Sequence, residues 1–339
     1  MTGQPTSWAD SLLFSPLHVG AVRFRNRIVL PPMKTNMDLT DRQALSYYRA
    51  RAAGGVGLVI VEATPLEQFE DPRFGDALRR VADVIHGGGA VAAIQLIQFG
   101  RLNGERVEPS ATEDARAATR EEIKEIVGRF AAAAAMACDA GFDAAEIHGA
   151  HDFVLNRFFS PQLNRRTDEY GGTLERRMRF GIEAVRAVRR ECGEGFLVLY
   201  RHTTMLGCPI EDDVAFAKAI EKAGVNIVDI SPSTSGPDAK HADLAATVKA
   251  GLRAPVIAVG GMEDPIAAEE VLREQRADLV AIGRALIADP DLPRKILEGR
   301  FEEIIECVKC NELCFGNLEK GIPIGCTRNP ETGMEYQRW

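Results

Sequence analysis

Residues 255–284 read PVIAVGGMEDPIAAEEVLREQRADLVAIGR: an apolar β-branched run, a helical stretch over 265–274 and a second apolar run, each run ending in glycine. Strand, helix and strand in this order form the βαβ unit of a parallel sheet. The same alternation extends back along the chain. Further strands are expected near 27–30 (RIVL), 57–62 (GLVIVE), 90–97 (AVAAIQLI), 144–148 (AAEIH), 196–201 (FLVLYR) and 227–231 (IVDIS), which with 255–260 and 279–283 makes eight. Eight is the number at which such a sheet closes, so the expected fold is α/β, a (β/α)8 TIM barrel, with an open doubly wound sheet as the alternative. Between the strands, Thr119 and Glu122 form a capping box whose helix stops before Gly141, and an amphipathic stretch runs from Thr173 to Cys192. Later helices are expected near 212–223, 242–250 and 290–298. Barrel sites sit at the carboxyl ends of the strands, and the longest polar connections, 98–118, 149–172, 202–212 and 231–241, all follow strands.

The chain has 339 residues, 49 of them acidic and 41 basic, for a formal net charge of −8. That balance excludes a basic nucleic-acid binder. No apolar run is long enough to span a bilayer, the alanine stretch Ala131–Ala137 included, and the opening MTGQPTSWADSLL lacks the pattern of a secretory signal. A cytoplasmic protein with no membrane partner is expected. The length exceeds the roughly 250 residues of one barrel, so we expect a barrel over 1–300 and a short appendage over 301–339.

Gly260-Gly261 and Gly283-Arg284 end the last two strands. Loops there commonly hold a phosphate, because glycine admits backbone N–H groups and arginine adds a charged fork; the alternative is two tight turns. A phosphate-bearing cofactor is the expectation. The run Gly87-Gly88-Gly89 opens no helix and is not a dinucleotide fingerprint. Gln95, Arg201, His148 and His151 are polar groups at strand ends, where barrel interiors are otherwise packed with apolar side chains. Arg201 offers a permanent cation able to stabilise an anionic ring, and the two imidazoles of EIHGAHDF could donate to one carbonyl oxygen and polarise it for hydride attack at its conjugated carbon. A His-x-x-His zinc site lacks an obvious third ligand. The appendage carries Cys307, Cys310, Cys314 and Cys326 at spacing C-x2-C-x3-C-x11-C. That pattern fits a [4Fe-4S] cluster, whereas structural zinc more often shows two matched C-x2-C knuckles. Cys138, Cys192 and Cys208 read as plain thiols.

With NRIVLPPM (26–33), VEAT (61–64), QLIQFGR (95–101), the long run EIHGAHDFVLNRFFSPQLNRRTDEYGGTLERRMRF (146–180), Arg201 and DLVAIGRALIADPDLPRKILEG (278–299), the chain resembles the old yellow enzyme family of flavin mononucleotide oxidoreductases. The cysteines and the closing CTRNPETGMEYQRW are similar to its iron–sulfur branch, which contains 2,4-dienoyl-CoA reductase and trimethylamine dehydrogenase. The resemblance implies FMN held by Pro32, Met33, Thr35, Ala63, Gln95, Arg201, Gly260, Gly261, Gly283 and Arg284, with substrate held by His148 and His151. Three positions depart from the family pattern. Lys34 replaces the usual Thr or Cys; it either donates to the flavin edge as a catalytic group or points to solvent with Thr35 in its place. Phe153 replaces a proton-donating tyrosine, leaving solvent, His202 or Asp152 as the source. Iron–sulfur relatives normally continue into a nucleotide-binding half, whereas this sequence runs to Trp339, so an external electron partner is expected.

The expected activity is hydride transfer to a small conjugated carbonyl compound. NAD(P)H would be the reductant, or else an electron-transfer protein or partner subunit exchanging electrons through the cluster. One alternative is oxidative, an amine or saturated-substrate dehydrogenase or demethylase; another is an electron-transfer subunit of a larger complex. Homo-oligomers are compatible with all three.

Overall fold

The computed structural model describes residues 7–203, 208–232 and 240–338, so the connections 202–212 and 231–241, the opening residues and Trp339 fall wholly or partly outside the described residues. All eight expected strands are present: β1 (Ile28–Leu30), β2 (Leu58–Pro65), β3 (Val91–Ile97), β4 (Ala144–Gly149), β5 (Leu197–Thr203), β6 (Ile227–Ser231), β7 (Val256–Val259) and β8 (Leu279–Ala281). They pair in parallel in chain order, and β8 pairs with β1 to close the barrel. This is the (β/α)8 architecture. Both faces of each strand are buried, which explains apolar runs without polar alternation. Inward side chains such as Val29, Ile60, Ala93, Leu199, Ile257 and Ala281 pack into one cluster. Outward side chains join the helices in a second and larger one.

The helices among the described residues are α1 (Arg42–Ala53), α2 (Phe74–Gly87), α3 (Arg120–Asp139), α4 (Val154–Phe159), α5 (Leu174–Cys192), α6 (Ile210–Ala223), α7 (Lys240–Lys249), α8 (Pro265–Arg273), α9 (Arg284–Ala288), α10 (Leu292–Leu297) and, in the tail, α11 (Phe315–Glu319). The capping box that opens α3 is formed: Glu122 N donates to Thr119 Oγ1 at 3.1 Å and Thr119 N to Glu122 Oε2 at 2.8 Å. Three features were not expected. A hairpin, Leu17–Val19 with Val22–Phe24, adds Val19 and Phe24 to the barrel interior beside Leu58 and Leu197, plugging the end where the strands begin. The connection after β3 folds into three short strands, Arg101–Leu102, Glu105–Glu108 and Arg116–Ala117. The third is α4, a short helix following β4.

Beyond α10 the chain returns across the carboxyl ends of the strands. Ile324 N donates to Thr35 O at 2.8 Å, and Asn36 Nδ2 donates to Ile322 O at 3.0 Å, so the tail is tied to the loop after β1. Farther on, Asn329 Nδ2 donates to Ala288 O and Thr332 Oγ1 to Ile287 O, both at 2.7 Å. The last turn places Glu335 on Arg51 of α1, at 2.6 Å and with both side chains buried.

Candidate active site

The polar strand-end residues meet because parallel pairing sets them level. Gln95 pairs in register with Glu146, Arg201 with His148 on one side and with Asp229 on the other. His148 is buried, and its Nδ1 accepts from Ala150 N at 3.2 Å, so its ring proton sits on Nε2. His151 lies beyond the strand, where it and Asp152 adopt left-handed backbone with φ of 54° and 60°. Two consecutive non-glycine residues in that region cost energy, and such strain collects at functional sites. Here it turns the His151 ring back to within 5.2 Å of the His148 ring.

Arg201 Nη2 donates to Ser231 Oγ at 3.1 Å, and Ser231 Oγ lies 2.8 Å from His151 Nε2. The serine hydroxyl carries two lone pairs and one proton, so while accepting from arginine it can partner either neutral tautomer of His151. Two imidazoles, each with one ring N–H when neutral, thus meet at one mouth. Burial, then the charge of Arg201, holds His148 well below the ordinary histidine range and brings His151 from 6.5 to about 4. Protonation of either ring works against the fold, so the stability tied to these neutral rings is complete above pH 6.5 and declines as the pH falls towards 4. A His151→Asn variant should lose less of its thermal midpoint than the parent between those pH values; an identical acid limb would contradict the assignment.

The loop after β1 carries Met33, Lys34 and Thr35. The β2–β3 ladder shifts register between Val61 and Thr64, and this re-aims Glu62 at that loop. Glu62 accepts from Thr35 N at 2.6 Å and also takes the Thr35 hydroxyl and the Lys34 ammonium. Thr35 is fully buried, whereas the Lys34 side chain remains 44 % exposed beside a cavity of about 710 Å3 that Glu62, Ala63, Asp38 and Gly321 also line. His148, His151 and Arg201 do not line this cavity; it opens beside the mouth, over the ends of β1 and β2.

On the neighbouring strands, Gly260 and Gly261 take consecutive positive φ values of 101° and 74°, and a Cβ on Gly283 would stand 3.1 Å from Met33 Sδ. Residues without side chains thus keep backbone accessible at the ends of β7 and β8. Together with the Arg201 cation and the Gln95 amide, this donor set suits a phosphate-bearing planar cofactor. Pro32 lies next to Met33 in the same loop and is partly buried.

Arg284 reaches the cysteine loop, where its Nη1 donates to Asn311 Oδ1 at 3.1 Å. Lys309 pairs with Glu263, from the loop after β7, at 2.6 Å. Lys309 and Asn311 flank Cys310 and both have left-handed backbone, with φ of 57° and 62°. Cys307, Cys310, Cys314 and Cys326 are free thiols lining one cavity with Arg284. Among the described residues no three His, Cys, Asp or Glu side chains gather tightly enough to hold a single metal ion.

One expectation is corrected. His202 faces outward from β5, with Nε2 2.7 Å from Asp213 Oδ1 and its ring against Phe159 and Phe216, so it cannot protonate a substrate at the mouth. Its neighbour Arg201 faces inward because side chains alternate along a strand. Phe153 packs edge-on to His148 at 4.9 Å and to Phe99 at 5.3 Å. Glu62, Glu146, Asp229 and Ser231 are the site residues that motif reading did not single out.

Residues 12–303 match the model of the NADH:flavin oxidoreductase / NADH oxidase family. A metal reductase of Desulforamulus reducens is 36 % identical over 96 % of this chain and 55 % of its own length. The solved 2-naphthoyl-CoA reductase complexed with 2-naphthoyl-CoA superposes with a TM-score of 0.90 at 27 % identity, over 96 % of this chain and 58 % of that one. Histamine dehydrogenase of Rhizobium sp. 4-9 gives 0.87 at 28 % identity, over 96 % and 53 %. The chain therefore spans just over half the length of these three proteins. Among the described residues no helix is long and apolar enough to cross a membrane.

Proposed function

This chain belongs to the NADH:flavin oxidoreductase / NADH oxidase family, and from that premise we propose that it is an FMN-dependent oxidoreductase that reduces a conjugated carbonyl compound, with NAD(P)H as a source of electrons. The observation that carries this reading is the pair of neutral imidazole donors, His148 and His151, converging at the barrel mouth. FMN, when bound, would supply hydride chemistry and exchange electrons in pairs or singly.

The chain's own residues do the rest. With Ser231 donating to His151 Nε2, His148 Nε2–H and His151 Nδ1–H would donate to the substrate oxygen and draw electron density towards it, which leaves the conjugated carbon electron-poor. Arg201 holds a positive charge beneath the mouth, and Gln95 offers an amide beside it. Gly260, Gly261 and Gly283 leave room for a phosphate, with Pro32, Met33, Thr35 and Ala63 lining the cofactor site from the ends of the neighbouring β1 and β2. Lys34 stands ready at the rim, its ammonium neutralised by Glu62. Phe153 has no proton to give, so water protonates the α-carbon.

Cys307, Cys310, Cys314 and Cys326 would hold a [4Fe-4S] cluster, whose chemistry is one-electron exchange with a partner protein or subunit. Four thiols around one cavity support that assignment. The Lys309–Glu263 and Arg284–Asn311 contacts would keep the cluster loop against the loops after β7 and β8. A cytoplasmic setting, in which thiols stay reduced, suits it.

An oxidative reading stands second, favoured by Phe153, since dehydrogenation of an amine leaves no alkene to protonate, and by the likeness to histamine dehydrogenase. Anaerobic mixing separates the two readings. Pre-reduced protein should be reoxidised by enones with a saturated product, while amines should leave the oxidised protein unbleached. Bleaching by amines together with inertness towards enones would reverse the assignment. Iron and acid-labile sulfide should be found together, and a flavin spectrum with neither would remove the cluster.

A further inference from the structure

Inside the barrel, directly below the mouth, lie two carboxyl groups with no exposed surface, Glu146 of β4 and Asp229 of β6. Gln95 Nε2 donates to Glu146 Oε2 at 2.5 Å, which makes that oxygen an acceptor. Asp229 Oδ2 stands 3.4 Å from Arg201 Nε. The remaining atoms, Glu146 Oε1, both oxygens of Asp229 and Arg201 Nε, are buried without a hydrogen-bond partner. Orphaned acceptors in such a dry space are costly, and two ionised carboxylates cannot be balanced by one guanidinium. A single proton on Glu146 removes one of the two buried negative charges and leaves the Arg201 guanidinium to balance the other.

We propose that Glu146 and Asp229 form a one-proton carboxyl dyad of positioning residues: Glu146 keeps the proton, and the one negative charge left on Asp229 sets how much positive charge Arg201 presents to the cofactor site. The inference rests on the flavin reading for its consequence but not for its proton. Burial raises Glu146 well above the ordinary carboxyl range; Asp229 is raised too by burial, with the charge of Arg201 opposing the rise. The other polar groups facing the dyad are Gln95, His148 and, through Arg201, Ser231 and His151, none of them anionic. The rest of the interior is apolar, with Ala144, Leu199, Ile227 and Ile257. The dyad also connects outward. Asp229 touches Arg201, Arg201 holds Ser231, and Ser231 fixes the His151 ring, so its charge reaches one of the two substrate donors.

Two variants test this, Glu146→Gln and the double variant Glu146→Gln with Asp229→Asn. In cofactor-free protein at neutral pH, infrared spectra should show a protonated-carboxyl stretch in the parent that is absent from Glu146→Gln. With flavin bound, Glu146→Gln should leave the midpoint potential unchanged, because glutamine copies the neutral acid, whereas the double variant should raise it by freeing the charge of Arg201. A missing carboxyl band, or a single variant that shifts the potential as far as the double, would overturn the dyad. Failure to bind flavin would count against the proposed function and leave the infrared result to decide the dyad.

Discussion

Replacing His148 by alanine is expected to lower kcat/KM for a conjugated carbonyl substrate by about 10²–10³-fold, the loss that follows removal of one preorganised donor to a developing oxyanion. His148 is buried, is neutral, and has its Nδ1 occupied by Ala150 N, so its only free function is the Nε2 proton. Alanine removes that proton and the edge contact with Phe153, and leaves His151 as the sole imidazole donor. His148→Asn keeps a donor of similar reach and should recover part of the loss. Single-turnover rates measure the step directly, and flavin content should stay at the parent level. An alanine variant as fast as the parent would remove His148 from the reaction.

A second large effect is expected far from the mouth. Glu335→Ala should cost about 3–5 kcal/mol of unfolding free energy, because it leaves the fully buried Arg51 guanidinium without its counter-charge. Arg51 would still donate to Tyr47 O at 3.0 Å and lie 3.5 Å over the Tyr47 ring, but those neutral partners do not balance a cation. The residues before Glu335 hold to Ile287 and Ala288, so the same change should loosen the segment that follows Cys326. Denaturant unfolding measures the loss, and limited proteolysis locates it. A cost under about 1 kcal/mol, typical of surface pairs, would mean that the clasp is not closed.

Much of the fold was legible because a barrel strand buries both faces and therefore appears as an uninterrupted apolar run. All eight runs became strands, and the Thr119 capping box formed as its residue pattern required. The Leu17–Val19 and Val22–Phe24 hairpin was not legible, since three-residue strands carry too little pattern to stand out. At the site, His148, His151, Gln95 and Arg201 were visible as polar groups where apolar ones belong. Glu146 in AAEIH and Asp229 in IVDIS carry the same signal, two residues before His148 and Ser231 on the same strand faces. They were passed over because a buried carboxyl makes sense only once its partners are known, and those partners come from other strands. Glu62 is a similar case: its link to Lys34 and Thr35 spans 28 and 27 residues and depends on a register shift in β2. The outward turn of His202 follows from alternation alone, given that Arg201 points in.

If His148 and His151 hold a carbonyl oxygen so that hydride arrives at the conjugated carbon and water supplies the second hydrogen, the label pattern of one turnover is fixed. The decisive experiment is a single anaerobic turnover of an enone in ordinary water, with protein reduced by NADH or NADPH deuterated at the transferable position. The product should carry deuterium at the β-carbon and a solvent hydrogen at the α-carbon. Deuterium at the α-carbon, or reduced protein that yields no saturated product, would rule this chemistry out.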